Sequence, residues 1–198
     1  METLIKALKD VLYDTWPMIL LSSVVLIILR VVYLIKNKEK FVVSKEIMSL
    51  TFVVYILCMF QIVTSNDVSG VHGVNITLFK ELTRYQIGTN LFYRNIIGNI
   101  IMFIPFGFFT SYYLKLNRKS IIFFISLTVS LVIELIQLKI GRAFDIDDII
   151  LNMVGTFVGY YAYRLVDNLV GDLSDTVKGT LTIVAVLTFI VIITIILI

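Results

Sequence analysis

The chain has 198 residues, 59% of them hydrophobic and only 16% charged, with a net charge of +3 and a mean hydropathy of +0.96. A soluble domain carries about 25% charged residues, so this composition excludes a soluble core and points to a membrane protein. A single cysteine, Cys58, and a single histidine, His72, exclude an intrachain disulfide and a zinc site of Cys/His type. The small basic excess reflects loop topology and implies no nucleic-acid partner.

Residues 1–16 are charged and amphipathic. Leu4, Ile5, Leu8, Val11 and Leu12 recur at helical spacing, which predicts a short helix lying in the membrane interface. No apolar stretch followed by small residues is present, so no cleavable signal peptide is expected. Trp16 suits headgroup depth, and Pro17 suits the first turn of the helix that follows. Six spans can then be drawn, at about 17–36, 46–64, 95–114, 121–138, 148–167 and 180–198, each near the roughly 20 apolar residues that cross a hydrocarbon core. The expected class is an all-α integral membrane protein, with residues 1–198 forming one polytopic domain. The fifth span is the least apolar and is assigned from its neighbours.

The loops alternate in character. The 36–45 loop carries Lys36, Lys38, Lys40 and Lys45, and the 115–120 turn carries Lys115, Arg118 and Lys119. The positive-inside rule puts both in the cytoplasm, which places the 65–94 loop, the 139–147 loop and both termini outside. Lys139, Arg142 and Arg94 run against that rule, which implies partners for them. Within the long 65–94 loop, residues 74–79 are apolar enough to dip toward the bilayer or to pack over the site. Pro105 in the third span predicts a kink near Ile101.

Polarity concentrates between residues 134 and 159. If the segment is helical throughout, Asp145, Asp148, Asn152, Gly155 and Gly159 step by 3, 4, 3 and 4 and form one stripe. Its glycines offer bare backbone to a closely packed neighbour. Ser126, Ser130, Glu134 and Gln137 make a matching stripe on the fourth span. With the topology above, Asn95, Asn99, Glu134, Gln137, Asp148 and Asn152 fall at one depth, within about two turns of the outer surface. Arg94, Arg142, Asp145 and Asp147 lie just above them.

Each of these groups has a structural reading and a chemical one. Carboxylates gather at a helix N-terminus because the dipole and unpaired N–H groups favour them, and this suits Asp147, which faces away from the stripe. Asp145 and Asp148 either cap in the same way, pair with Arg142 or Arg94, or ligate a hard cation with Asn152. Pairing neutralises them without an ion, so no metal is expected. Glu134 lies about one turn below the surface, where a carboxylate is costly unless paired or wet. It either hydrogen-bonds Asn99 or Arg142, or transfers protons with Asp148 as second acid/base candidate. Gln137, Asn152, Asn95 and Asn99 serve as interhelical hydrogen bonds or as ligand contacts. Arg94 and Arg142 can grip a phosphate or carboxylate, which suits a lipid headgroup or a lipid-linked wall precursor. No Gly-rich phosphate loop, H-E-x-x-H or G-x-S-x-G occurs, and no cofactor is expected.

Three groups of residues carry a family resemblance. They are Asn99-x3-Phe103-x-Pro105-x-Gly107, then Glu134-x2-Gln137, then Gly141-Arg142-x2-Asp145-x2-Asp148-x3-Asn152-x2-Gly155-x3-Gly159. Together with Asn75-x3-Phe79 they make residues 74–165 resemble the VanZ-like family. Leu78 and Thr110-Ser111 stand where that family often has prolines. The resemblance implies a bacterial cell-membrane protein. It also implies a link to glycopeptide resistance, teicoplanin above vancomycin, without a change to the peptidoglycan stem peptide. It implies no particular reaction.

Two functions remain open at this stage. One is a binding or protective module whose outer-leaflet polar pocket, built from Arg94, Asn95, Asn99, Glu134, Gln137, Arg142, Asp145, Asp148 and Asn152, recognises membrane lipid, a lipid-linked cell-wall component or a lipoglycopeptide antibiotic. The other is a membrane-embedded enzyme using Glu134 and Asp148 as acid and base on a phosphate-bearing envelope substrate. A transport path is disfavoured, because below Asn152 the stripe turns to Gly155 and Gly159. The topology has a direct check. A cysteine at Ser69 is expected to react with an impermeant maleimide in intact cells, and one at Asn117 is not; labelling at Asn117 alone would invert the arrangement.

Overall fold

In hydrocarbon the backbone finds no hydrogen-bond partner but itself, so long apolar runs fold into helices. A computed structural model describes residues 2–38, 41–64, 73–170, 177 and 179–180. All of the sixth expected span, 180–198, beyond its first residue, and residues 65–72 lie outside the described residues. Among those described, five helical stretches are long and apolar enough to cross a membrane: Trp16–Asn37, Lys45–Thr64, Asn95–Leu114, Lys119–Lys139 and Ile146–Leu169. The chain divides into two units, Met1–Ile62 with Asp167–Ile198, and Val63–Val166.

The described part of the first unit is helical. Helix α1 (Glu2–Asn37) runs for 36 residues with Pro17 inside it. The expected division into an interfacial helix and a separate span is absent. A proline removes one hydrogen bond, that to the carbonyl of residue 13, and the apolar flanks carry the helix past it. Leu21, Leu29 and Ile35 are more than half exposed, as suits side chains that face lipid. Arg30 donates from Nε and Nη2 to Glu46 Oε2 and Oε1 at 2.8 and 3.0 Å, joining α1 to α2 (Val43–Thr64). This two-pronged pair offsets the charge of an arginine set in an apolar helix.

The second unit holds the polar residues. It begins with β1 (Val74–Asn75), α3 (Lys80–Arg84) and α4 (Asn90–Phe92). A π-helical turn, Tyr93–Ile97, then leads into α5 (Gly98–Leu114). Helix α6 (Lys119–Lys139), β2 (Phe144–Asp145) and α7 (Ile146–Val170) follow. Helix α5 continues through Pro105, and the departure from regular α geometry sits upstream, in the π turn. The all-α expectation needs one amendment. Val74 and Asn75 pair in parallel with Phe144 and Asp145, a ladder too short to show any alternation in sequence.

Helices α5 and α7 approach backbone to backbone. A Cβ on Gly155 would overlap the carbonyl oxygen of Ile100, and one on Gly159 that of Ile104. Gly107 answers from the other side, where a Cβ would overlap the carbonyl of Thr156. Helix α6 meets α7 through hydroxyls: Ser126 Oγ donates to Thr156 Oγ1 at 2.9 Å, and Asn152 Nδ2 donates to Ser130 Oγ at 2.9 Å. At the far end, Leu116, Ile122 and Tyr160 form a buried apolar cluster with Ile125 and Phe157 packed against it. There Arg164 Nη1 donates to Asn117 Oδ1 at 2.5 Å.

Helix α6 stops in a way its sequence explains. Gly141 has φ +89°, its N–H donates to Leu138 O at 3.3 Å, and Arg142 N–H donates to Gln137 O at 2.9 Å. These are the two bonds of a Schellman motif, whose residue in the left-handed region is normally glycine. Substituting alanine at Gly107, Gly155 or Gly159 is expected to cost at least ~1–3 kcal/mol through overpacking against fixed backbone. Thermal unfolding in detergent should show a lower midpoint for each. Val154→Ala and Val158→Ala, on an exposed face of the same helix, should change it little.

Candidate functional site

The turn after Gly141 carries the chain from the end of α6 to the start of α7, so the polar residues of both helices collect at one end of the unit. Asp145 precedes α7 and does not continue its stripe, because the segment is not helical throughout. Its Oδ1 accepts from the backbone N–H of Asp147 at 2.9 Å, the bond that a capping carboxylate makes two residues into a helix. Its Oδ2 accepts from Asn75 Nδ2 at 2.9 Å, and its own N–H donates to Glu134 Oε2 at 2.9 Å. One aspartate therefore links α6, α7 and β1. It is buried, as are Glu134 and Asp147.

Asp147 lies in the first turn of α7, as the helix-end reading expects, and has a second task. Facing away from the stripe, it is 1% exposed, and its Oδ1 accepts the backbone N–H of Phe79 at 2.7 Å. Phe79 has φ +61°, a left-handed conformation that a bulky residue rarely adopts. The charged acceptor secures that N–H. With Asn75 held by Asp145, both ends of the 75–79 segment are fixed to the start of α7. The Asn75-x3-Phe79 spacing was the available signal, and it needed the fold to become a contact.

The other sequence candidates divide. Asn99 Nδ2 donates to Asp148 Oδ1 at 2.6 Å, joining α5 to α7. Asn152 is 1% exposed, donates to Ser130, and leaves its Oδ1 buried without a hydrogen bond from the described residues. Gln137 is buried, and Asn95 is half-buried on the π turn. Thr156, one turn beyond Asn152 on the same face, was overlooked; it donates back to Asn152 O at 2.9 Å and accepts from Ser126. Its i+4 spacing was the usable clue.

The expected pairing of Arg142 with Asp145 or Asp148 is not formed. Arg142 Nη1 instead makes a long contact, 3.5 Å, to the carbonyl oxygen of Val63. It lies within electrostatic reach of Glu134, but it makes no ion pair among the described residues. Asp145 instead receives Asn75 and the Asp147 backbone N–H, and Asp148 receives Asn99, all at closer range. The side chain of Arg94 and all of His72 lie outside the described residues. Among the described residues, no group of three or more carboxylate, histidine or cysteine side chains is arranged to hold a metal ion.

A family model described as VanZ/LLP1 matches residues 47–167. Protein VanZ of Enterococcus faecium is 43% identical over 79 residues, covering 37% of this chain and 46% of that protein. The similarity thus spans just under half of that relative's length. No solved structure matches the chain.

The Phe79 contact is open to measurement. A hydrogen bond to a charged acceptor contributes ~1.5–3 kcal/mol, so Asp147→Ala should speed amide exchange at Phe79 by roughly 10- to 100-fold, at about 1.4 kcal/mol per tenfold. Asp147→Asn keeps an acceptor oxygen and should have a smaller effect. Unchanged exchange in the alanine variant would mean that Asp147 does not hold the segment.

Proposed function

The chain belongs to the VanZ/LLP1 family, and from that membership we propose that it acts in the bacterial cell membrane in resistance of the glycopeptide and lipoglycopeptide type, teicoplanin foremost. In this reading it is a binding or protective module. The polar ends of α5, α6 and α7 recognise an anionic component of the envelope, a lipid headgroup or a lipid-linked wall precursor. The similarity to protein VanZ supports the resistance role.

The observation that carries the binding reading is a separation of charge. Lys80, Arg84 and Lys139 are exposed and Arg142 is half-exposed, all at the end of the unit where the polar residues collect. Glu134, Asp145 and Asp147 lie buried behind them, and each receives an N–H from the protein. Those donors screen the carboxylates at short range, so an approaching anion meets ammonium and guanidinium groups first. Arg142, held by one long neutral contact, keeps its planar donor fork available for a phosphate or carboxylate. A second reading, an enzyme with Glu134 and Asp148 as acid and base, draws on one feature. Only one oxygen of Glu134 is hydrogen-bonded within the described residues.

Substitutions at Arg142 and Glu134 distinguish the readings, scored by teicoplanin susceptibility in a sensitive host expressing the chain at matched membrane levels. Arg142→Ala is expected to abolish protection, and Arg142→Lys to retain part of it. The charge exchange Arg142→Asp with Asp145→Arg should not restore protection, because the two residues do not form an ion pair. Glu134→Gln, which keeps shape and hydrogen bonding but cannot shuttle a proton, should preserve most of the effect. Loss of protection in Glu134→Gln with normal abundance and stability would favour the enzyme. Full protection in Arg142→Ala would overturn the anion-binding site.

A further inference from the structure

Outside the polar cluster, the segment 74–93 presents the most unusual surface of the second unit. Val74, Ile76, Leu78, Phe79, Ile87 and Leu91 are 62%, 71%, 52%, 55%, 87% and 55% exposed. Six large apolar side chains exposed within twenty residues are more than a loop in water commonly presents. Nor is the exposure that of a loose strand. The backbone is fixed by the pairing of Val74 and Asn75 with Phe144 and Asp145, by Asn75 Nδ2 on Asp145, and by Phe79 N–H on Asp147. The left-handed turn at Phe79 is held while its ring stays in the open. The buried aspartates thus maintain an outward-facing apolar surface.

Its position identifies what covers it. The pairing with Phe144 and Asp145 puts the segment beside the end of α6 and the start of α7, and Leu91 and Tyr93 lead directly into the span that begins at Asn95. A span that begins at Asn95 puts the segment just outside the hydrocarbon core, at the level where acyl chains give way to headgroups. Its composition fits that level. Lys80 and Arg84, both exposed, project from α3 between the two apolar stretches. The Arg84 guanidinium lies over the Tyr85 ring at 5.7 Å from its centroid. Apolar side chains, an aromatic ring and long basic side chains are the set that favours the boundary between hydrocarbon and anionic headgroups.

We propose that segment 74–93 is a membrane-interfacial wedge, whose apolar side chains seat among the lipid acyl chains at this end of the spans while Lys80 and Arg84 contact anionic phospholipid headgroups. The wedge does not depend on the resistance reading. It stands or falls on lipid contact alone, without drug or wall precursor. It also gives Asp145 and Asp147 a defined task, which is to hold the wedge at a constant angle to the helix ends.

The test uses the full chain with Cys58→Ser as background and single cysteines at Ile76, Ile87 and, as a control in the exposed turn at the opposite end, Arg118. Each is labelled with the environment-sensitive fluorophore NBD and reconstituted in phosphatidylcholine vesicles with or without phosphatidylglycerol. At 76 and 87 the wedge requires blue-shifted emission, quenching by lipids carrying a nitroxide near the headgroup end of the acyl chain, and iodide quenching several-fold weaker than at 118. Iodide quenching equal to that at 118 would overturn the wedge. Shielding from both iodide and nitroxide lipid would overturn it too, in favour of a protein partner such as a second copy of the chain. The joint substitution Lys80→Ala with Arg84→Ala should reduce the retention of phosphatidylglycerol over phosphatidylcholine several-fold in lipid co-purification. Unchanged retention would remove the headgroup contact from the proposal.

Discussion

The contact of α5 with α7 is the constraint on which the rest of the second unit depends. Between helices in lipid there is no hydrophobic driving force, so association rests on close van der Waals contact and interhelical hydrogen bonds. Gly107, Gly155 and Gly159 allow the two backbones to come within reach of each other's carbonyls. Once α7 is seated there, its rotation is set. Asn152 and Thr156 face Ser130 and Ser126 of α6, and Asp148 faces Asn99 of α5. Each such hydrogen bond contributes only ~0.6 kcal/mol on average in a membrane. The glycine contact decides which of them can form.

The carboxylates at the end of the helices are placed by the same geometry. A buried carboxylate is tolerable when N–H groups meet it, and the start of a helix supplies them. Asp145 takes one from within α7 and one from Asn75, and Asp147 takes one from Phe79. Negative charge is thereby used as a set of fixed acceptors that bind a surface segment to the bundle. Arg142 is accordingly left without an ion pair among the described residues, held only by a long contact to the Val63 carbonyl.

Function and architecture meet at that end of the helices. The second unit combines a helical core, a basic edge and an exposed apolar segment next to the start of a membrane-length helix. The proposed recognition of an anionic lipid-like molecule would draw on all three, since such a molecule presents a phosphate or carboxylate together with a hydrocarbon chain. The hydrogen-bonded carboxylates are equally informative about chemistry. Groups committed to structural N–H donors have less freedom to exchange protons with a substrate than solvent-facing ones.

The sequence by itself determined a good deal. Hydrocarbon composition requires helices of membrane length, since no other open structure satisfies the backbone there. Five of the expected spans were legible within a few residues. The spacing of Asp148, Asn152, Gly155 and Gly159 marked the inner face of α7, because a helical period converts linear spacing into a face whatever the neighbours are. The left-handed turn at Gly141 was encoded locally as well. Partners were another matter. Asn75 and Asp145 are 70 residues apart and Phe79 and Asp147 are 68 apart, and no periodicity links residues across an intervening chain. Nor could charge alone assign Arg142, because opposite charges close in sequence suggested a pair where the fold had already given the carboxylates nearer donors. The Arg30 contact with Glu46, 16 residues away, was lost for the same reason. Local spacing fixes which side of an element is polar, whereas the choice among several chemically adequate partners is made only when tertiary packing sets the distances.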